Sequence, residues 1–305
     1  MTLDSTASGT FVIAPTPFLP DGGLDLASAA RMTEAYLKMG ATGLTILGIM
    51  GEAPKLDAAE STAFVKAVLT ANAGQVPVVV GVSSPGFAAM RALSHEVMAA
   101  GAAGVMIAPT PGLKGDDAVI AYFQQASETV GPAPWCLQDF PQANGVAITP
   151  KMVARIAADP RLVMLKAEDW PGLDKISAIR ALEAAGEMKR LSILGGFSGL
   201  FLPEELSRGT DGVMTGYAFP ELLVALCKNG PTEEMWDRFE AHLPLIRTDN
   251  QPGLGLAVRK YVLMRRGIIA HETARAPAPR LSPPARAEVD HLLARLGRRD
   301  PVAVL

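Results

Sequence analysis

The chain has 305 residues, a formal net charge of −3 and 49% hydrophobic residues. This charge offers no positive surplus to nucleic acid or to an anionic membrane, so neither is predicted as a partner. Two cysteines are too few for a disulfide framework, and no apolar stretch reaches the roughly 18 residues of a membrane-spanning helix. Residues 1–10 do not resemble a signal peptide. The composition therefore predicts a cytoplasmic protein with an ample core.

Short apolar runs alternate with longer segments of helical periodicity along most of the chain. The runs predict eight strands, at residues 11–14, 43–47, 76–80, 104–108, 135–137, 162–165, 191–194 and 212–214. The segments between them predict helices at residues 26–39, 58–72, 86–100, 117–129, 150–157, 173–185 and 203–208. Helix start signals support these boundaries, including Asp57 before residue 58 and the pair Thr149-Pro150.

Eight strands that alternate with helices over about 220 residues predict parallel strands closed into a (β/α)8 barrel. An open, doubly wound sheet is the structural alternative. The turn after the first strand reads Thr16-Pro17-Phe18, without the glycine-rich phosphate loop that such a sheet uses. The predicted fold class is therefore α/β, a TIM barrel with additional C-terminal helices.

The strand pattern stops near residue 230, which predicts a barrel over residues 1–230 and a helical extension over residues 231–305. Helices are expected at residues 232–244, 254–266 and 285–296, with a proline-rich connector at residues 274–284. The second of these helices carries a cluster of basic residues, for which a solvated face or a subunit contact is expected: Arg259, Lys260, Arg265 and Arg266.

One lysine directly follows a wholly apolar strand. Residues 162–165 lead into Lys166, and Glu168 follows two positions later. Side chains alternate along a strand, so Lys166 and Glu168 are expected to point the same way, together with Met164 and Leu162. Apolar surroundings favour an uncharged lysine, and a free amine is the nucleophile of Schiff-base chemistry. The alternative is that Lys166 marks the exit of the strand into solvent.

Functional residues of such barrels lie at the carboxyl ends of the strands, which favours a functional role for Lys166. The other candidates at these ends are Gly48, Ile49, Met50, Gly51, Ser83, Gln138, Gly195 and Tyr217. Gly48 and Gly51 are expected to be turn glycines that let backbone amides approach a carboxylate. Ser83 either contacts substrate or caps the following helix, and Gln138 either orients substrate or ties strand five to its neighbour.

Neither a metal site nor a cofactor is predicted. The four histidines are scattered and none has the spacing typical of a metal ligand pair: His95, His242, His271 and His291. Cys136 is expected to be a buried, unreactive thiol. Glu52, after a glycine turn, is expected to be structural.

Three segments resemble the dihydrodipicolinate synthase and N-acetylneuraminate lyase superfamily, and the resemblance extends from about Gly9 to Arg298. The segments are Ala14-Pro15-Thr16-Pro17-Phe18, Gly48-x-x-Gly51-Glu52 and Lys166-x-Glu168. The resemblance implies a (β/α)8 barrel with extra C-terminal helices and a homo-oligomer, either a tetramer or a dimer. It also implies that Lys166 forms a Schiff base with a small 2-keto acid.

Departures from the family pattern bear on the chemistry. Ile49 and Met50 stand where the family has hydroxyl residues, and Gln138 stands where it has a strand-five tyrosine. The tyrosine near the end of strand four is also missing, since Thr110-Pro111 occupy that place. A phenol relays protons, whereas an amide orients and hydrogen-bonds. The proton relay of the synthase and the sialic-acid lyase is therefore not expected, and Tyr217 is a candidate to replace the missing phenols.

The branch of 2-keto-3-deoxy-L-arabonate dehydratases resembles this chain in more places. These are Gln138-Asp139-x-Pro141, Lys166-x-Glu168, Met214-Thr215-Gly216, Phe219-Pro220, and Leu243-Pro244-Leu245-Ile246 with Asn250. The resemblance implies acid and base work for the glutamate two positions after the lysine. Gly51 is a departure, because that branch has a serine before the glutamate of the strand-two motif.

The expected function is dehydration of a 2-keto-3-deoxy sugar acid similar to 2-keto-3-deoxy-L-arabonate. Lys166 is the expected nucleophile, Glu168 the acid and base, and Gln138 the orienting group. One alternative is a pyruvate-dependent aldolase, which uses the same imine but cleaves or forms a carbon–carbon bond. The other is a regulatory protein that binds a 2-keto acid without turning it over.

Overall fold

A computed structural model describes residues 1–170 and 172–303 as a closed barrel of eight parallel strands in sequence order. The barrel closes where β1 pairs with β8. This confirms the predicted (β/α)8 fold class. The strands are β1 Gly9–Ile13, β2 Gly43–Ile46, β3 Val78–Gly81, β4 Gly104–Ile107, β5 Trp135–Asp139, β6 Leu162–Ala167, β7 Ser192–Gly195 and β8 Gly212–Thr215.

Helices surround the barrel and continue beyond it. Those that follow the strands are α1 Leu26–Lys38, α2 Ala58–Asn72, α3 Phe87–Ala99, α4 Asp116–Thr129, α5 Pro141–Asn144, α6 Pro150–Ile156, α7 Leu173–Ala184, α8 Leu202–Ser207 and α9 Pro220–Asn229. The later ones are α10 Glu233–Asp249, α11 Gly255–Arg265 and α12 Pro283–Arg299. None of the described helices has the length and apolarity needed to cross a membrane.

The predicted helix start signals act as caps. The Asp57 carboxylate accepts a hydrogen bond of 2.8 Å from the N–H of Glu60, whose side chain in turn accepts from the N–H of Asp57 at 3.1 Å. The Thr149 hydroxyl accepts from the N–H of Met152 at the start of α6. Such caps satisfy N–H groups that have no partner inside the helix.

Alternate strand positions fill the interior of the barrel. Their side chains form a buried cluster distinct from the larger one between sheet and helices: Phe11, Ile13, Val79, Met106, Cys136, Met164, Leu194 and Met214. Burial raises the pKa of the Cys136 thiol to about 12, which agrees with the expected unreactive cysteine. The packed interior leaves chemistry to the carboxyl ends of the strands.

Three helices depart from the sequence prediction, and the first of them, the four-residue α5, was not predicted. The helix α9 was not predicted, although Pro220 stands at its first position and is a start signal. The predicted end of a helix at residue 244 is wrong, because α10 continues through Pro244 to Asp249. A proline removes one helical hydrogen bond, and the buried side chains of Leu245 and Ile246 hold the following turn in the core.

The prediction of a solvated basic face is wrong for three of its four residues, since the side chain of Arg266 is 6% exposed and pairs with Glu221, and two others are also buried. Arg259 is 4% exposed and Lys260 is fully buried. Arg259 donates to Asp249 at 2.5 Å and to the Ser198 hydroxyl at 3.0 Å, while Lys260 Nζ lies 2.5 Å from Oε1 of Glu52. Buried charges need such partners. Both residues therefore hold loops at the carboxyl end of the barrel, Ser198 after β7 and Glu52 after β2.

Candidate active site

The carboxyl end of β6 carries a buried lysine–glutamate pair. Lys166 is 3% exposed and Glu168 is 6% exposed, and Lys166 Nζ lies 2.6 Å from Oε2 of Glu168. Met164, one step earlier on the same face, belongs to the cluster inside the barrel. The pair therefore points into the carboxyl end of the barrel, and the alternative that Lys166 leads out into solvent is wrong.

The expectation that Leu162 shares this face is also wrong. Leu162 pairs with Trp135, but the next pair along the strands joins Met164 to Cys136, so Val163 is an extra residue on β6. Such a bulge interrupts the alternation of side chains. Leu162 accordingly packs outside the sheet, while Val163 packs against the interior cluster.

Gln138 completes a three-residue group. It is the register partner of Lys166 on the neighbouring strand β5 and is 3% exposed. Its Nε2 donates to Oε2 of Glu168 at 2.8 Å, the same oxygen that contacts Lys166. Two of the three predicted catalytic residues, Lys166 and Gln138, thus contact one carboxylate oxygen of the third, Glu168. This hydrogen bond ties β5 to the end of β6, which is the second of the two alternatives for Gln138, and a contact of Gln138 with substrate stays a prediction.

Asp139, the residue after Gln138, holds Glu168 in place through its backbone, while its side chain forms an ion pair with α7. The Glu168 N–H donates to the Asp139 carbonyl at 2.9 Å. The Asp139 carboxylate is fully buried and forms an ion pair with Lys175, which also lies 3.2 Å from Asp169. Burial raises the pKa of Asp139 to about 6, although Lys175 opposes this shift. This ion-pair group fixes the ends of β5 and β6 relative to α7.

Two consecutive glycines end β7, and they face opposite ways. A Cβ atom at Gly196 would lie 2.4 Å from Cγ of Glu168, so a side chain there would displace the carboxylate. A Cβ atom at Gly195 would lie 1.8 Å from Oε2 of Glu205, on the helix side of the sheet. Gly195, the predicted substrate residue, thus faces Glu205 and not the lysine–glutamate pair. Gly196 is the glycine that contacts the site, and the sequence could have indicated it, because two consecutive glycines stand at the end of this strand.

The turn after β2 contains four of the predicted substrate-binding residues. Ile49–Gly51 form one 3₁₀ turn, in which Met50 packs against the interior cluster and Ile49 is 52% exposed. Gly48 has a φ of −83°, a value open to other residues, whereas Glu52 adopts the left-handed region with a φ of 54°. The backbone conformation at position 48 therefore does not require a glycine.

The same turn is anchored by buried hydrogen bonds. The Gly51 carbonyl accepts from the Thr16 hydroxyl at 2.6 Å. The Glu52 carboxylate, 3% exposed, accepts from Lys55 at 2.9 Å and from the Arg275 N–H at 3.0 Å, in addition to its pair with Lys260. Glu52 is therefore structural, as expected from the sequence.

Ser83 is exposed at the end of β3. Its hydroxyl oxygen accepts from the Ala108 N–H at 2.8 Å, which links the ends of β3 and β4. The alternative that Ser83 caps the next helix is wrong, because the capping position of α3 is Gly86 and no side chain caps it. Ser83 therefore remains a predicted substrate contact.

Tyr217 is placed away from the pair. It is 1% exposed within the core between barrel and helices, and its hydroxyl lies 2.9 Å from Nδ1 of His242. Burial lowers the pKa of His242 to about 4, so the ring is neutral near pH 7. Its Nε2–H then donates to Asp300 at 2.9 Å, and its Nδ1 accepts from Tyr217. Tyr217 thus ties the barrel to α10 and does not replace the missing phenols.

Four aromatic residues that the sequence analysis did not identify line this side of the barrel mouth. Phe140 follows β5, Trp170 follows β6, and Phe197 and Phe201 follow β7. Their rings meet edge to face, with centroids 5.0–5.3 Å apart. They give an apolar rim to the three strands that carry Gln138 and the lysine–glutamate pair.

The histidines do not assemble into a metal site. Within residues 1–170 and 172–303, no group of three histidine, cysteine or acidic side chains is arranged to hold a metal ion. The buried His242 serves the contact with Tyr217 described above.

Comparison with known proteins agrees with this geometry. The family model of the Dihydrodipicolinate synthetase family matches residues 6–296. The chain is 30% identical to L-2-keto-3-deoxyarabonate dehydratase of Azospirillum brasilense, covering 100% of this chain and 99% of that enzyme. It is 33% identical to 4-hydroxy-tetrahydrodipicolinate synthase of Sorangium cellulosum, covering 78% of this chain and 79% of that enzyme.

A solved structure resembles the whole chain closely. The crystal structure of a dihydrodipicolinate synthase from Rhodopseudomonas palustris superimposes with a TM-score of 0.94 and 50% sequence identity. The match covers 97% of this chain and 99% of that chain. Together with the family match over residues 6–296, these similarities identify the chain as a member of the dihydrodipicolinate synthetase family, whose curated relatives are lyases.

Proposed function

We propose that the protein is a Schiff-base lyase that dehydrates a 2-keto-3-deoxy sugar acid, for which 2-keto-3-deoxy-L-arabonate is the reference substrate. The observation that carries this proposal is the convergence of Lys166 and Gln138 on Oε2 of Glu168. The full-length similarity to a dehydratase of such an acid supports the choice of substrate class.

The first step in this proposal is formation of the imine. An ammonium group is not a nucleophile, so Lys166 must lose a proton, and the 2.6 Å contact with Glu168 gives that proton a direct acceptor. The amine then adds to the C2 ketone of the substrate. Glu168 returns its proton to the C2 hydroxyl that results, which leaves as water. A protonated imine then remains as an electron sink, and Glu168 is a carboxylate again.

The second step is removal of a proton from C3, the carbon next to the imine. Glu168 lies within reach of the lysine nitrogen and therefore of the adjacent substrate carbon. After Lys166 has formed the imine, the amide of Gln138 still donates to the Glu168 carboxylate and keeps it oriented. An amide does this without gaining or losing charge at neutral pH.

The third step is loss of the C4 hydroxyl. The electrons of the enamine expel this group, and the proton that Glu168 took from C3 goes to the leaving oxygen, so that water is released. Glu168 thus acts first as a general base and then as a general acid within one turnover. Hydrolysis of the product imine then frees Lys166.

The substrate carboxylate requires a separate set of contacts. We assign these to the turn of Gly48, Ile49, Met50 and Gly51 and to the exposed hydroxyl of Ser83. Ile49 and Met50 offer no side-chain donor, so the contribution of the turn comes from backbone N–H groups. Homo-oligomeric assembly, as a tetramer or a dimer, and a cytoplasmic location complete the proposal.

The second candidate function is a pyruvate-dependent aldolase, favoured by the similarity to 4-hydroxy-tetrahydrodipicolinate synthase. Aldol cleavage takes its proton from the C4 hydroxyl, which lies further from the imine nitrogen than C3 does. The group beside the imine on β5 is an amide, and an amide is not a general base. A regulatory protein that only binds 2-keto acids has no evident need for a buried base beside the lysine.

Product analysis with wild type and Glu168→Gln tests the proposal. Wild type is expected to convert a 2-keto-3-deoxy sugar acid to a product lighter by one water, without release of pyruvate. Glu168→Gln is expected to retain borohydride trapping of the imine but to lose turnover by roughly 10²–10⁴-fold, the usual worth of a positioned base. Pyruvate plus an aldehyde from wild type would assign the aldolase reaction instead.

A further inference from the structure

A second carboxyl group lies behind the catalytic pair. The backbone of Gly195 and Gly196 separates Glu168, on the inner side of the β7 end, from Glu205, on the helix side. A methyl group on Gly196 would overlap the Glu168 side chain, and one on Gly195 would overlap the Glu205 carboxyl group. With no side chain in between, the two carboxyl groups are close enough to influence each other's charge.

Glu205 stands in surroundings that disfavour its ionised form. It is 7% exposed, and its Oε2 has no hydrogen-bond partner among the residues that the structure describes. The nearby hydroxyl of Thr210, whose N–H donates to the Glu205 carbonyl at 3.1 Å, is likewise buried without a partner in the described part of the chain. Burial raises the pKa of Glu205 to about 8, and the carboxylates of Glu204 and Glu168 act in the same direction.

The positively charged groups of the surrounding elements do not form an ion pair with Glu205, because they pair with other carboxylates. On α7, Arg180 pairs with Glu183 and with Asp211, the latter at 2.6 Å. Just after α8, Arg208 pairs with Asp174 at 2.8 Å.

No ion pair of Glu205 occurs within the described residues, and the remaining titratable neighbours are acidic. On α9, Cys227 is a neutral thiol, since burial raises its pKa to about 11. The acidic neighbours are Glu204 on α8 and Glu168 just after β6. A negative charge on Glu205 would therefore stand unpaired beside the site.

We propose that Glu205 is a positioning residue that acts on Glu168 and Lys166 through the Gly195–Gly196 backbone, and that turnover requires it to be uncharged. A second negative charge there disfavours the carboxylate form of Glu168, which the reaction uses as its base. It also favours the ammonium form of Lys166, which cannot attack the substrate. Ionisation of Glu205 thus switches the enzyme off at alkaline pH. The effect of Glu205 on turnover rests on the proposed function.

The kinetic test compares pH profiles of Glu205→Gln and Glu204→Gln. Gln is nearly isosteric with a protonated Glu and cannot ionise. Wild-type kcat/KM is expected to fall above about pH 8, and Glu205→Gln is expected to raise the ratio of kcat/KM at pH 9 to that at pH 7 by about fivefold or more. Glu204→Gln, on the adjacent position, removes a charge that favours the protonated form of Glu205, so it should lower this ratio or leave it unchanged and should not raise it. An unchanged ratio in Glu205→Gln would overturn the proposal, because a purely structural role would lower activity equally at both pH values.

A second measurement is independent of the substrate. Infrared difference spectra of the substrate-free protein are compared between pH 7.5, where Asp139 with its pKa of about 6 is largely ionised, and pH 10. They should contain a protonated-carboxyl band that disappears at high pH, present in wild type and Glu204→Gln but absent in Glu205→Gln. A band that persists in Glu205→Gln, or no band in wild type, would overturn the inference. If no sugar acid is turned over but this band behaves as expected, the proposed reaction fails while Glu205 remains the buried neutral carboxyl.

Discussion

Lys166 Nζ lies 2.6 Å from Oε2 of Glu168, two positions further along the chain and on the same side of the barrel wall. Two residues of a strand span roughly 6–7 Å between α-carbons, so the side chains must converge to make this contact. The convergence places a base next to the nitrogen that would carry the substrate. The reaction assigned to this protein depends on that arrangement.

The glycine against Glu168 gives a sharp prediction. A methyl group at position 196 has no room beside Cγ of Glu168, so Gly196→Ala should displace the carboxylate and lower turnover by about 10²-fold or more. Lys166 itself does not move in this argument, so borohydride trapping of a 2-keto acid should persist. Gly86→Ala is the matched control, because Gly86 has a φ of −126° and no atom within 4 Å of the new methyl group. Equal kinetics for both variants would contradict the role of Gly196.

Tyr217 is expected to matter for stability and not for turnover. Tyr217→Phe removes the donor to Nδ1 of His242 in a buried site, which should lower the free energy of unfolding by about 1–3 kcal/mol. Chemical denaturation measures this loss, and steady-state kinetics on the folded variant should match those of wild type. A folded Tyr217→Phe protein that had lost its turnover would place the phenol in the reaction after all.

The amide at position 138 predicts which reaction the protein does not perform. Because Gln138 stands where the family has a proton-relaying tyrosine, condensation of pyruvate with aspartate semialdehyde should be negligible. The measurement is a coupled synthase assay with an authentic 4-hydroxy-tetrahydrodipicolinate synthase as positive control. Measurable condensation that disappears in Lys166→Ala would show that the amide does not prevent the synthase reaction.

Glu205 also predicts how stability depends on pH. Its pKa is about 8 in the folded protein against an ordinary value of 4.5, so the folded state holds the proton more tightly than the unfolded state. Its contribution is therefore fully present below about pH 4.5 and is lost as the pH rises to about 8, at about 1.4 kcal/mol per pH unit. Glu205→Gln cannot titrate, so its free energy of unfolding should exceed that of wild type by an amount that grows across this window. Parallel curves for the two proteins would contradict the raised pKa.

The sequence predicted the barrel and the central pair because both depend on local pattern. Eight alternations of apolar run and helical segment are enough for a (β/α)8 barrel. The side-by-side placement of Lys166 and Glu168 follows from the alternation of side chains along a strand. The alternation rule gave the wrong face for Leu162 because Val163 is an extra, bulged residue. A bulge depends on how β6 pairs with β5, which the sequence of β6 alone does not show.

Other features depend on partners far along the chain and left no local signal. Lys260 reads as a solvated basic residue, but it is buried against Glu52, 208 positions earlier. Gly195 faces the helices because Leu194 before it faces the barrel interior, and the space beside Gly195 is filled by Glu205, which reaches the sheet from α8. Tyr217 was expected at the site, yet His242 of α10 holds its hydroxyl on the helix side of the barrel.

The most direct test of the central claim is peptide mapping after borohydride reduction with pyruvate or a 2-keto-3-deoxy sugar acid. Reductive alkylation of Lys166 blocks tryptic cleavage there, so the added mass is expected on a peptide spanning residues 162–175. Lys175, 12% exposed and nearby, is the internal control, because its alkylation would instead label residues 167–180. The account predicts label on the first peptide in wild type and none in Lys166→Ala. Label on the second peptide, or a wild-type protein that no 2-keto acid labels, would contradict it.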